Sequence, residues 1–161
     1  MKFFFEARIT VVDDPLEDYF SIGDTISGYY TFDSETPNEH PGGSTGTYMD
    51  AIIDLLFTVG GYTGVSNRGD ISVLSNSGAI GYIDAYFVKG DFSGPSVGVY
   101  APVDFGIFLY DHDGDIFSSV ALPLVPPDLS DCDDQIVSIT FREPGGSWAF
   151  VRGKVTSLVL A

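Results

Sequence analysis

Residues 48–60, YMDAIIDLLFTVG, decide the fold class, because here two periodicities compete for the same side chains. Met49, Ile52, Ile53 and Leu56 recur at helical spacing, whereas Ala51, Ile53, Leu55, Phe57 and Val59 alternate as a half-buried strand does. Phe57-Thr58-Val59 carries the two-residue period straight into Gly60-Gly61 with no helix-capping residue in between. The stretch therefore reads as a strand.

The segments around it read the same way. Residues 26–33, ISGYYTFD, place Ile26, Gly28, Tyr30 and Phe32 on one face, and residues 3–12 place Phe3, Phe5, Ala7, Ile9 and Val11 on one face. Asp13-Asp14-Pro15 closes the first strand, since proline cannot continue a ladder. Residues 34–46 hold two prolines and three glycines without apolar periodicity, which predicts an exposed loop. Further strands are predicted at 70–74, 80–88, 103–110, 135–142 and 147–160. Two hairpins are expected, one turning at 143–146 and one at 111–115 leading into Ile116-Phe117. The proline-rich residues 122–128 are expected to cross the outside or run along an edge. Eight to ten short strands with regular turn signals and no convincing helix predict an antiparallel β-sandwich or jelly roll, a single domain over residues 1–161.

Composition agrees with that reading. Asp is the better turn former of the two acidic residues and the poorer helix former, and the chain has 18 Asp against 5 Glu, with 19 Gly and 9 Pro. An apolar fraction of 44% and a chain of 161 residues suffice for a core without a disulfide or metal. Twenty-three acids against 7 bases give a net charge of −16, which excludes nucleic acid and an anionic membrane as partners, since both need a basic footprint. No apolar run approaches the ~20 residues of a membrane span. The opening MKFFFEARITVV carries Glu6 and Arg8 where a signal peptide would need an apolar stretch. An intracellular protein or a trimmed, mature form is expected. Cys132, the one cysteine, lies between Asp131 and Asp133, which raise a thiol pKa and predict an inert thiol in an exposed loop.

Four segments in order, GDTISGYYTFDSETP (23–37), GTYMDAIIDLLFTVGG (46–61), FGIFLYDHDGDIFSSVALPLVPPDLS (105–130) and ITFREPGGSWAFVRGKVTSLVLA (139–161), resemble a family of bacterial exported β domains, many of which carry a PEP-CTERM sorting tail. The resemblance covers nearly the whole chain and lies in strand and turn patterns, without a catalytic signature. It implies a β-sandwich exported to the cell envelope or extracellular matrix, with links to exopolysaccharide. This chain has neither the export signal nor the Val-Pro-Glu-Pro tail of that pattern.

The richest polar cluster is Asp111-His112-Asp113-Gly114-Asp115. Carboxylates at alternating positions around a glycine can converge on a hard cation, so Asp111, Asp113 and Asp115 are the candidate calcium ligands. Glu is missing at the end of the loop, and Asp and Gly also suit a plain acidic turn. Asp128, Asp131, Asp133 and Asp134 form a second acidic patch, and Asp13, Asp14, Glu17 and Asp18 a third. With His40 and His112 the only histidines, no zinc set and no serine triad can be assembled; Ser44 and Ser147 are turn residues. Tyr29, Tyr48, Tyr62, Tyr82, Tyr86, Tyr100, Tyr110 and Trp148 are numerous enough to supply both a core and exposed sugar-stacking platforms.

Three functions follow as expectations. The first is a non-catalytic extracellular or envelope-associated structural protein that assembles with itself as a homo-oligomer by strand pairing. The second is a carbohydrate-binding module for extracellular polysaccharide, with or without calcium. The third is a small β-barrel enzyme whose pocket the sequence does not reveal. A terminal strand can pair outside its own domain, so residues 3–12 are the candidate assembly element, with Glu6 and Arg8 as the alternative signature of edge protection.

Overall fold

The structure, a computed structural model, describes residues 1–78, 81 and 83–161. Nine strands form one antiparallel sheet: β1 (Lys2–Val12), β2 (Thr25–Phe32), β3 (Thr45–Val59), β4 (Tyr62–Ser66), β5 (Gly69–Ser77), β6 (Ile83–Asp91), β7 (Ala101–Asp111), β8 (Asp134–Arg142) and β9 (Trp148–Leu160). Among the described residues there is no α-helix, and none long and apolar enough to cross a membrane. Each predicted strand overlaps one of these elements, with ends off by up to three residues, and residues 48–59 fall in β3 as a strand. Positions 80 and 82 of the strand predicted at 80–88, and Tyr82 among the aromatics, lie outside the described residues. The short β4, with Gly64 at its centre, is an element the sequence reading missed.

The strand order corrects the expected sandwich or jelly roll. Strands consecutive in sequence pair with each other except β4 and β5, β5 pairing with β3 instead; β9 returns to pair with β1, so eight strands close into an up-and-down barrel, with β4 as an overhang on β3. A sandwich and a barrel share the same alternation along each strand, and only the closing β1–β9 register separates them. Closure also gives most of residues 3–12 strand partners within the chain. Phe3 pairs with Tyr30 on one side and Leu160 on the other, and this double pairing continues to Arg8, with Ile9 bonded to Gly23 and Asp24, so that neither side of residues 3–9 is an open edge. The overhang is covered too: Val65 exchanges backbone hydrogen bonds with Ser93, and the Tyr62 hydroxyl donates to the Pro95 carbonyl at 2.9 Å.

The apolar face points inward. Phe3, Phe5, Ala7 and Ile9 of β1 are buried, whereas Phe4, Glu6, Arg8 and Thr10 are exposed. This polarity is the reverse of an outer-membrane barrel, whose apolar band faces lipid. Eight strands leave a lumen just wide enough for side chains or one small ligand, and here side chains fill it. Phe57 stacks on Phe105 across the lumen with centroids 4.8 Å apart, and Phe5 lies 5.4 Å from Phe105. Towards the other end, Tyr30 of β2 and Tyr86 of β6 meet hydroxyl to hydroxyl at 3.1 Å, both fully buried.

The hairpin expected at 111–115 does not form, although the one at 143–146 does, with Glu143 N–H donating to the Ser147 carbonyl at 3.0 Å. After Asp111 the chain crosses one barrel end as an irregular strap, residues 112–133, before β8 pairs with β7. Pro123, Pro126 and Pro127 remove the donors a return strand would need. The strap is clasped to strand ends instead. Phe117 N–H donates to Asp84 at 2.5 Å, Ser75 Oγ donates to the Phe117 carbonyl at 2.6 Å, and Tyr48 Oη donates to the Val120 carbonyl at 2.7 Å. Leu122 of the strap is itself buried. Cys132 is buried as well, correcting the exposed-loop reading; burial, then the charges of Asp111, Asp131, Asp128 and Asp133, push its thiol up to about 11.

Candidate functional site

The loop holding the candidate calcium ligands is organised around its own carboxylate. Asp111 is buried, and its two oxygens accept the N–H groups of Asp113 at 3.0 Å and Asp115 at 2.9 Å. Desolvation alone would raise its carboxyl, but the N–H groups of Asp115, Asp113, Ile116 and Gly114 outweigh it and hold the group below the ordinary carboxylate value. Asp113 and Asp115 point to solvent, and the charge of Asp111 is the largest of the causes that raise the Asp115 carboxyl. The second acidic patch comes up against this loop: the His112 N–H donates to Asp133 at 2.8 Å, and its ring Nε2 lies 3.0 Å from the Asp134 carboxylate. Among the described residues no group of three or more His, Cys, Asp or Glu side chains is arranged to hold a metal ion. In the third patch, Asp13 accepts the Phe150 N–H at 2.8 Å and fastens β1 to β9.

The aromatic residues divide between lumen and surface. Tyr30, Tyr48 and Tyr86 are buried, Tyr62 packs among Phe20, Phe57, Phe92 and Phe141, and Tyr110 lies against Phe87. Trp148 is exposed beneath the Arg142 guanidinium, 4.8 Å from its ring, at the barrel end away from the strap. Tyr29 is on the outer wall near the opposite end, so the two do not form a common row.

Tyr29 belongs to a different row. The ladder aligns Val159 with Phe4, Phe4 with Tyr29, Tyr29 with Leu56 and Leu56 with Val65, a line of outward apolar side chains across β9, β1, β2, β3 and β4. Val159, Phe4 and Val65 are 50%, 43% and 45% exposed. At the usual strand spacing the row is about 19 Å long. Next to it the same ladder aligns Ser157, Glu6, Ser27, Thr58 and Thr63, a row of hydroxyls and one carboxylate. Phe4 and Tyr29 meet edge to face with centroids 6.0 Å apart. The Lys2 ammonium lies over both rings, 3.4 Å from the centroid of Tyr29 and 5.5 Å from that of Phe4.

At its β4 end the row opens into a cleft of about 510 Å³ lined by Asp54, Val65, Ser66, Asn67, Arg68, Asp91, Phe92 and Ser93. The cleft exists because β3 changes partners, pairing with β5 as far as Ile52 and with β4 from Leu55. Just before the change, where the β3–β5 register breaks between Tyr48 and Ile52, Asp50 takes a left-handed backbone, φ 55°, which Asp tolerates better than most residues. Its carboxylate pairs with Arg68, and its N–H donates to Asp70 at 2.7 Å. A second cleft, of about 360 Å³, continues past Arg68 and Asp91 between Asp70 and Lys89. Glycines form its floor: a Cβ on Gly90 would sit 2.5 Å from the Arg68 carbonyl, and one on Gly69 2.7 Å from that of Lys89. Desolvation, and then the nearby Asp54 carboxylate, raise the Tyr29 phenol. The sequence shows Phe4 and Tyr29 on outward positions, but which strands flank them, and hence the row, depends on the register of five strands.

The chain matches no protein-family model, no characterised protein and no solved structure.

Proposed function

We propose that this protein is a non-catalytic, extracellular or envelope-associated module that binds polysaccharide along its outer wall. The observation that carries the reading is the paired rows on β9, β1, β2, β3 and β4, one apolar with two aromatic rings and one of hydroxyls, running into a polar cleft. Sugar rings offer an apolar face and a rim of hydroxyls, and such a wall meets both at once. The filled lumen supports an outer rather than an inner site. The non-catalytic part rests on the histidines: His112 and His40 are exposed and line neither cleft. Calcium has no part in the reading, because the Asp111 carboxylate is engaged by its own loop. The extracellular placement rests on the resemblance of the four segments to exported β domains.

The test is affinity electrophoresis through gels containing neutral polysaccharides. A Phe4→Ser/Tyr29→Ser variant is expected to lose the retardation shown by the native chain, while Trp148→Ala retains it. Both substituted side chains face outward, so melting temperatures should stay close to native. Absence of retardation in every gel, or retardation that survives in the Phe4/Tyr29 variant, refutes the reading.

A further inference from the structure

We infer that the wall recognises a glycan bearing free amino groups, with a sugar ammonium taking the place over Tyr29 and Phe4 that the Lys2 ammonium now fills; this rests on the polysaccharide reading above. Lys2 shows directly that these two rings accept a cation, since its ammonium sits 3.4 Å from the Tyr29 centroid. Lys2 carries its ammonium on a flexible four-carbon stem, so an incoming ammonium can displace it into water without disturbing the backbone ladder. The charges beyond the rings favour the exchange. Arg68 is paired with Asp50, and Lys89 lies 3.7 Å from Asp104, so both bases of the two clefts have acidic partners outside the cleft linings. Asp54, Asp70 and Asp91 remain as lining carboxylates, and Asp54 lies on β3 two residues before Leu56 of the apolar row. With the net charge of −16 behind them, they attract ammonium groups and repel carboxylated or sulfated chains.

The experiment compares glucosamine oligomers with N-acetylglucosamine oligomers of the same length by calorimetry on the full chain. At low salt (about 20 mM) the amino oligomer is expected to bind roughly 5–10-fold more tightly, the ratio shrinking as salt screens the carboxylates. Asp54→Asn/Asp91→Asn should bring the ratio close to one. Lys2→Gln, by removing the competing ammonium, should tighten the amino oligomer. Asp113→Asn/Asp115→Asn makes the same charge change at the strap end and should leave the ratio intact. Equal binding of the two oligomers, or a ratio lost equally in both double variants, overturns the inference and leaves the polysaccharide reading standing. If neither oligomer nor any neutral polysaccharide binds, the polysaccharide reading itself fails.

Discussion

The Tyr30–Tyr86 contact gives the sharpest test of the barrel, because it spans the lumen between strands that are not neighbours in the sheet. Both rings are fully buried, and their hydroxyls lie 3.1 Å apart. Tyr30→Phe removes one hydroxyl and strands the other in an apolar interior, a loss of about 1–3 kcal/mol. Tyr86→Phe does the same from the opposite wall. Removing both leaves two apolar rings of nearly unchanged shape and no polar group to satisfy, so the double variant should lie within about 1 kcal/mol of the native chain. The two losses therefore fail to add, with a coupling of about −1 to −6 kcal/mol. In a domain of this size each kcal/mol moves the melting temperature by about 2–4 °C, so each single variant should melt about 2–12 °C lower and the double variant should recover most of the difference. Urea denaturation of the four proteins measures the cycle. If the double variant loses the sum of the two single losses, the hydroxyls do not meet, and the registers of β2 and β6 across the lumen are wrong.

Two further predictions concern the strap. Asp84 is fully buried and accepts the N–H groups of Asn76 at 2.6 Å and Phe117 at 2.5 Å, so Asp84→Ala should cost about 3 kcal/mol and increase proteolysis of residues 112–133, measured by chemical denaturation and limited digestion. His112 should titrate above its ordinary value, chiefly through its hydrogen bond to Asp134 and then the charges of Asp133, Asp134 and Asp111; because the folded value exceeds the unfolded one, this contribution to stability is complete below about pH 6.5 and is lost as pH rises through the folded value. Proton NMR on the native chain and on Asp134→Asn measures it, and an unchanged His112 titration in the variant would contradict the pairing.

The strands were legible because the period-2 pattern is local. Residues 3–12 and 26–33 each show their buried face without reference to any partner, and residues 48–60 are resolved by the β pattern at their C-terminal end. Closure was not legible, because nothing in residues 3–12 or 147–160 distinguishes two strands that pair with each other from two that lie at opposite edges. The strap was misread as a hairpin because Asp-His-Asp-Gly-Asp is compatible with several turns, and the carboxylate that selects one of them, Asp84 on the Phe117 N–H, comes from a strand 33 residues away. The two acidic patches were read separately for the same reason, and the His112–Asp133 and His112–Asp134 contacts join them.

The wall and the barrel share one cause in β3. At 15 residues it is longer than β2, which pairs with it from Ile26 to Phe32. If β5 ran the full length of β3, the wall would close smoothly and no cleft would open. Instead β5 stops at Gly69, opposite Ile52, and the preceding β4 takes over from Ser66, opposite Leu55. Between these pairs Asn67 and Arg68 leave the ladder, and the Arg68–Asp50 ion pair bridges the opening. The same step that lets β4 lie over the Phe57 and Phe92 rings carries Val65 outward to end the apolar row, so the cleft lies at the end of the platform. Strand overhang, core cover and candidate site are thus consequences of one change of partner between Ile52 and Leu55, and the left-handed Asp50 sits in the register break that precedes it.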